Sequence, residues 1–194
     1  MRLAIVLFAA LPALLSAAPA WAMNFDLKDV TYSVEPIVGY DLQRKTDPQP
    51  HAKLVLTYGA RVIAGYKIIA AEGEYTRGKS DEEYPLSSLR IEETSQEIKV
   101  GVRSSPEIYP GISLAVRGGA QLSEVHAKTT SNGTVTESDR PSRVDPYVGA
   151  GLSANLGGIV ALSAEGTMTV RDWNDITKSE FQGTLGLRIS LNSK

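Results

Sequence analysis

The chain has 194 residues, 20 Lys and Arg against 22 Asp and Glu for a formal net charge of −2, 42% hydrophobic residues and no cysteine. Near-neutral charge with no basic stripe argues against nucleic-acid binding. Without cysteine there is no disulfide framework, and two distant histidines are too few for a typical zinc site.

The first segment reads as a secretory signal. Arg2 supplies the positive start, Leu3 to Leu15 is apolar, and Ala20-Trp21-Ala22 fits the small-x-small cleavage rule. The stretch is short for a membrane helix and is broken by Pro12. Cleavage after residue 22 leaves 172 residues with a net charge of −3, so residues 23–194 are expected to form one domain. No later run approaches the roughly 18 apolar residues of a spanning helix. If this chain crosses a membrane, it does so with strands.

About eight strands are predicted, over residues 32–43, 52–63, 66–76, 91–103, 112–125, 146–155, 159–171 and 180–191. In the second, Leu54, Leu56, Tyr58, Ala60 and Val62 share one face, and Lys53, Thr57, Gly59 and Arg61 share the other with Val55. The seventh sets Val160, Leu162, Ala164, Met168 and Val170 against Ser163, Glu165, Thr167, Thr169 and Arg171. The eighth sets Phe181, Leu185, Leu187, Ile189 and Leu191 against Gln182, Thr184, Arg188 and Ser190. Alternation of this kind fits any half-buried sheet, so the connections must decide the architecture.

The connections alternate in length. Ala64-Gly65 and Gly157-Gly158 are tight hairpin signals, and Ser104 to Gly111 is an intermediate link. Gln43 to His51, Arg77 to Arg90, Lys128 to Pro146 (with a turn signal at Asn132-Gly133) and Asp172 to Ser179 are longer and polar. Short turns at one end and long loops at the other are the pattern of a closed antiparallel up-and-down transmembrane β-barrel.

The segment Asp145-Pro146-Tyr147-Val148-Gly149-Ala150-Gly151-Leu152 resembles strands of the small outer-membrane β-barrel superfamily that includes the OmpA membrane domain and OmpX. The resemblance covers the whole mature chain. It implies an all-β barrel of the bacterial outer membrane with both termini in the periplasm, in contact with lipid and lipopolysaccharide, and handled by the barrel-assembly machinery. That family usually ends its last strand on an aromatic residue, whereas here the alternation stops at Leu191 and Asn192-Ser193-Lys194 follow.

With the apolar face toward lipid, Leu54, Leu56, Tyr58, Val160, Leu162, Leu185, Leu187 and Ile189 are expected to face the membrane. Tyr32, Tyr40, Tyr75 and Phe181, near strand ends on that face, are candidates for interfacial girdles. Parity places Glu35, Asp41, Arg61, Glu72, Glu74, Lys99, Arg103, Arg117, Glu165 and Arg188 inside. A barrel of about eight strands is just wide enough to be filled by its own side chains. Near-balanced charge is what a salt-bridged plug requires; an ion or proton path is the rival use of the same residues.

Catalysis is the sharper alternative. Some small outer-membrane barrels modify lipid A, and His51 with Asp41 and Ser80 loosely looks like the palmitoyltransferase arrangement of histidine base, acid and hydroxyl. His126 is followed by Ala127 and Lys128 and so lacks the His-x-Ser pattern of lipid A deacylases. Asp81, Glu82 and Glu83 read as a solvated acidic loop, and Gly118-Gly119 and Gly149-x-Gly151 sit within strands rather than in a phosphate-binding loop. No cofactor or metal is expected. The leading reading is a non-enzymatic barrel that supports envelope integrity or presents residues 77–90 and 128–145 to a surface partner. A third reading, a soluble periplasmic barrel carrying a small apolar ligand, requires an apolar interior and a polar exterior.

Overall fold

The computed structural model describes residues 30–45, 51–66, 68–84, 89–131, 134–173, 175 and 178–192; the signal segment and Met23 lie outside them. Among the described residues nine strands follow in chain order: β1 Val30–Lys45, β2 His51–Tyr66, β3 Ile69–Tyr84, β4 Leu89–Ser104, β5 Glu107–Tyr109, β6 Ile112–Ser131, β7 Thr134–Gly157, β8 Val160–Thr169 and β9 Glu180–Ser190. Every pairing is antiparallel between neighbours. β1 pairs with β9 and β4 pairs with β6, so the eight long strands form a closed ring, which removes the free edges of an open sheet. β5 is a three-residue spur in the intermediate link, paired to the start of β6.

The ring has a terminal end, where β1 begins and β9 finishes, and a loop end opposite. At the terminal end the β1–β9 seam is carried past β9 by Asn192. Its Oδ1 accepts the Tyr32 N–H at 2.7 Å and its Nδ2 donates to the Val30 carbonyl at 2.6 Å, while Leu191 N–H donates to Tyr32 O. The side chain thus continues a ladder that the backbone has left.

Two turn placements differ from expectation. Ala64 and Gly65 are ladder positions facing Ala71 and Ala70, and the chain turns two residues later, with Tyr66 opposite Ile69. An aromatic and a β-branched residue at the tip favour one more rung over an earlier turn. At the β7–β8 turn, Gly157 and Gly158 take φ of 112° and 59°, a region glycine enters without steric cost.

The larger difference concerns residues 77–90 and 128–145, expected as loops. β3 runs on to Tyr84, β4 starts at Leu89, β6 continues to Ser131 and β7 starts at Thr134, so most of both segments is ladder. Both faces are wet there, so hydrophobic alternation vanishes although the backbone pairing continues. Polar cross-strand contacts take over, among them Arg90 bridging Asp81 and Glu92, His126 opposite Asp139, and Thr129 opposite Thr136. Cross-strand pairs, not burial, hold this part of the sheet.

β8 and β9, with 10 and 11 residues, match the roughly 9–11 residues a tilted strand needs to cross the hydrocarbon core. β6 and β7 have 20 and 24 and overshoot it. The membrane-height wall alternates cleanly. Leu54, Leu56, Tyr58, Val62, Val148, Leu162, Leu185 and Leu187 are exposed on the outside, and polar residues are buried on the inside. This is the inversion of a soluble barrel, and it overturns the reading of an apolar-lined ligand carrier.

Candidate functional site

The interior is built from the odd positions of β1, β2, β4, β6, β7 and β8 and the even positions of β3 and β9. Arg61 on β2 is its hub, with no exposed surface. Its Nη1 meets Glu35 Oε1 at 2.7 Å and Glu165 Oε2 at 2.9 Å, and its Nε donates to Glu74 Oε2 at 2.8 Å. Arg117 reaches Glu74 at 2.8 Å, Glu72 at 2.8 Å and Glu165 at 3.1 Å. Arg103 meets Glu165 Oε1 at 2.6 Å, and Arg188 Nε donates to Glu35 Oε2 at 2.9 Å. Lys99 Nζ donates to Glu74, Glu97 and Gln182. Glu35, Arg61, Glu72, Glu74, Lys99, Arg103, Arg117, Glu165 and Arg188 are therefore one connected network, and Asp41 lies above it toward the loop end.

Several members were not singled out in the sequence. Tyr147 is 1% exposed, its hydroxyl donates to Glu72 Oε1 at 2.7 Å, and its ring lies 5.1 Å from the Arg117 guanidinium carbon. The signal was in the motif itself: Pro146, Val148, Ala150 and Leu152 alternate outward, which turns Tyr147 inward, its hydroxyl against Gly101. Glu97 shares strand and parity with Lys99 and could have been read the same way. Gln121 is polar but uncharged, which hid it, whereas Gln182 already stood on the polar face of the last predicted strand. Large side chains fill the barrel at this level, consistent with walls braced against each other rather than an open lumen.

Near the loop end, carboxylate oxygens of Asp41, Glu97 and Glu180 lie within 4.8 Å of one another. Each already has a donor: Gln43 on Asp41, Lys99 on Glu97 and Arg171 on Glu180. Arg143 and Arg171 both hold Asp145. On the connection after β8, Asp172, aided by Asp175, holds the Lys178 ammonium above its ordinary value, and Trp173 is 76% exposed.

Of the candidate acid-base set, the backbone of His51 faces Lys45, and its side chain lies outside the described residues. Asp41 is opposite Val55 and Gln182, and Ser80 is opposite Glu93, beyond the last β2–β3 rung at Thr57 and Gly78. Asp41 is bonded to Gln43 rather than to Ser80. The girdle candidates Tyr32, Tyr40, Tyr75 and Phe181 are all on the outer face, with Tyr32 toward the terminal end and Tyr40 and Phe181 toward the loop end.

Beyond the loop-end rim, β3, β4, β6 and β7 continue as a four-stranded flange. The β2–β3 ladder stops at Gly78 and the β7–β8 ladder at Tyr147, so residues 79–84 and 134–145 are its two open edges. The twelve residues of the β7 edge are about 40 Å of strand. Charges in residues 77–96 and 122–145 are Arg77, Lys79, Arg90, Lys128, Arg140 and Arg143 against Asp81, Glu82, Glu83, Glu92, Glu93, Glu124, Glu137, Asp139 and Asp145, an acidic balance.

Known proteins share this architecture. The chain is similar in structure to Ail, the attachment invasion locus protein of Yersinia pestis (TM-score 0.57, 14% identity, 84% of this chain and 99% of that one). It is also similar to Neisserial surface protein A (TM-score 0.55, 12% identity, 81% and 96%) and to a major outer membrane protein from Thermus thermophilus (TM-score 0.51, 11% identity, 84% and 99%). At such identities the likeness shows the fold. No curated protein matches the sequence. The profile of the outer membrane protein β-barrel domain matches residues 3–188, and the chain belongs to that family.

Proposed function

We propose that this protein is a non-enzymatic outer-membrane barrel whose flange recognises a partner with a basic surface at the cell exterior. The orientation has the terminal end in the periplasm after removal of residues 1–22. The apolar belt, including Leu54, Leu56, Tyr58, Val160, Leu162, Leu185, Leu187 and Ile189, would then face lipid and lipopolysaccharide, with the barrel-assembly machinery acting during biogenesis. One observation carries the reading: four strands continue past the rim as an exposed sheet whereas β8 and β9 stop at membrane height.

The acidic balance of the flange selects the partner class. Ail has been solved in complex with the heparin analogue sucrose octasulfate. The flange here carries nine acidic against six basic side chains, which favours cationic protein surfaces over sulfated polyanions by long-range complementarity. The open edges are guarded. Pro141 removes a donor, the register shifts between Ser123 and Val125, and Glu137, Asp139 and Arg140 line the edge. Recognition by side chains is thus favoured over strand addition.

The test reverses Asp81, Glu92, Glu124 and Glu137 to lysine and measures retention of whole cells on a polylysine surface and on host-cell monolayers. Loss of retention, with the heat-modifiable gel shift of the barrel intact, supports the reading. Unchanged retention refutes it. A strain lacking the protein whose detergent sensitivity is corrected equally by native and reversed forms would instead assign it to envelope integrity. His51→Ala is expected to leave lipid A mass unchanged, and a change would restore the enzymatic alternative.

A further inference from the structure

The outer face of the barrel changes character at the loop-end rim. Tyr75, Ile98 and Leu122 lie side by side on β3, β4 and β6 and close the apolar belt, and two residues further along each strand Arg77, Gln96 and Glu124 stand opposite one another on a single rung. By strand parity all six point outward, away from the braced interior. Tyr75 and Ile98 are exposed, as is Tyr58, the rung neighbour of Arg77 on β2. A cation and an anion are thus set into an apolar, tyrosine-bearing wall at the height where lipid head groups begin.

Neither charge is matched. No described residue pairs with the Arg77 guanidinium or with the Glu124 carboxylate. Of the three Arg77 nitrogens only Nε is buried, so the two terminal ones remain open to the surface. The two side chains belong to strands two spacings apart, roughly 10 Å between backbones, with Gln96 between them. Gln96 Oε1 accepts from the Tyr75 hydroxyl at 3.4 Å, which leaves its amide N–H groups for a third party. The β6–β7 register shifts at Glu124, which has no rung partner on β7 and is exposed. Such irregularities re-aim a side chain and are over-represented beside sites.

A notch of about 50 Å³, lined by Tyr75, Gln96, Ile98, Leu122 and Glu124, opens on this rung. A water occupies about 30 Å³ in the liquid, so the notch admits an ammonium group and excludes the bulkier trimethylammonium. Glu124 supplies its counter-charge, and the Tyr75 ring is a second attraction for a cation. Arg77, one strand beyond Gln96, offers a forked donor pair suited to phosphate. A guanidinium alone would take any lipid phosphate, but a carboxylate on the same rung repels further negative charge and favours a head group that brings its own cation. We infer that Arg77, Gln96 and Glu124 bind an aminoalkyl phosphate head group of a membrane lipid, of the phosphoethanolamine kind, with its phosphate on Arg77 and Gln96 and its ammonium in the notch on Glu124. The lipid chains then run over Tyr75, Ile98 and Leu122. The site requires the apolar belt to face lipid, and it depends neither on which end faces outward nor on recognition of a basic partner by the flange.

The experiment uses the whole barrel in detergent micelles and counts, by native mass spectrometry, the lipids retained from an equimolar mixture of phosphatidylethanolamine, phosphatidylcholine and phosphatidylglycerol with the same chains. Phosphatidylethanolamine is expected to be retained roughly fivefold over the other two, the scale of one half-exposed ion pair. Glu124→Gln should raise phosphatidylglycerol to the level of phosphatidylethanolamine, and Arg77→Gln should release both. Each side chain projects from the outer face, and the boiled-versus-unboiled gel shift checks the fold of each variant. Soluble phosphoethanolamine, which has no chains to lay on the belt, should displace little lipid; full displacement at equal concentration would overturn a membrane lipid as the source. Equal retention of the three lipids by the native barrel overturns the proposal, as does a preference for phosphatidylethanolamine that survives Glu124→Gln. Glu124 is also one of the four residues reversed in the cell-retention test, so a loss of retention that Glu124→Gln alone does not reproduce belongs to the flange and not to this site.

Discussion

Arg61→Met removes the hub of the interior while keeping most of its volume. Glu35 and Glu74 lose their closest cation, at 2.7 Å each, and Glu165 loses a partner at 2.9 Å while keeping Arg103 at 2.6 Å. Inside the wall, Arg61, Lys99, Arg103, Arg117 and Arg188 balance Glu35, Asp41, Glu72, Glu74, Glu97 and Glu165, so the variant holds four cations against six acids. Removal of one partner from a buried ionic cluster costs about 3–5 kcal/mol, because the remaining charge stays desolvated and uncompensated. The control is Arg90→Met on the flange. Arg90 and Asp81 form a bond of 2.6 Å but are nearly half exposed, and such pairs contribute about 0–1 kcal/mol. Equilibrium unfolding in urea, with refolding into lipid vesicles, gives both values. Trp173 is the one tryptophan beyond residues 1–22 and reports the transition. Adding Glu35→Gln to Arg61→Met should recover part of the loss, since it removes one of the stranded charges. If Arg61→Met costs no more than Arg90→Met, the interior is hydrated and the account of a braced, desolvated plug is wrong.

Tyr147→Phe should cost about 1–2 kcal/mol in the same assay, because Glu72 loses a buried donor while the ring beside Arg117 stays; a neutral result would mean that the hydroxyl is replaced by water. Leu185→Arg, midway along β9, should destabilise the membrane-inserted barrel by about 2–4 kcal/mol, whereas Leu54→Arg, nearer the loop end of β2, should cost about 0–1 kcal/mol. Equal costs would contradict the assigned membrane level. At the closing seam, a Cβ on Gly39 would lie 2.0 Å from the Gly183 carbonyl oxygen, so Gly39→Ala should slow ring closure and lower the fraction of heat-modifiable barrel after refolding. An unchanged folded fraction would show that β9 shifts freely at that rung.

The barrel was legible where one face meets lipid and the other is buried. There the period of two is strong, and Arg61, Glu74, Lys99 and Glu165 could be assigned to a side by parity alone. It was illegible where that contrast ends. Arg77 to Tyr84 and Lys128 to Asp145 have polar residues on both faces, so they look like loops, and their strand character comes from pairing with a distant partner. Gln121 and Tyr147 escaped for a different reason. An interior braced by charge still needs neutral donors and an aromatic filler, and those residue types are marked only by strand parity, as Tyr147 is between the outward Pro146 and Val148.

The two ends of the molecule follow from this division. Within the membrane each residue answers either to lipid or to the charge network, and little freedom remains for a specific surface. The four strands that continue beyond the rim lose the lipid constraint and keep the ladder, which supplies a rigid support whose side chains on both faces are free to vary. A sheet in that position risks pairing with other edges, and Pro141, the shifted register and the charged margin oppose this. At the terminal end, short turns leave no room for such a sheet. Side chains of the flange can therefore be substituted without touching the charge network that braces the wall.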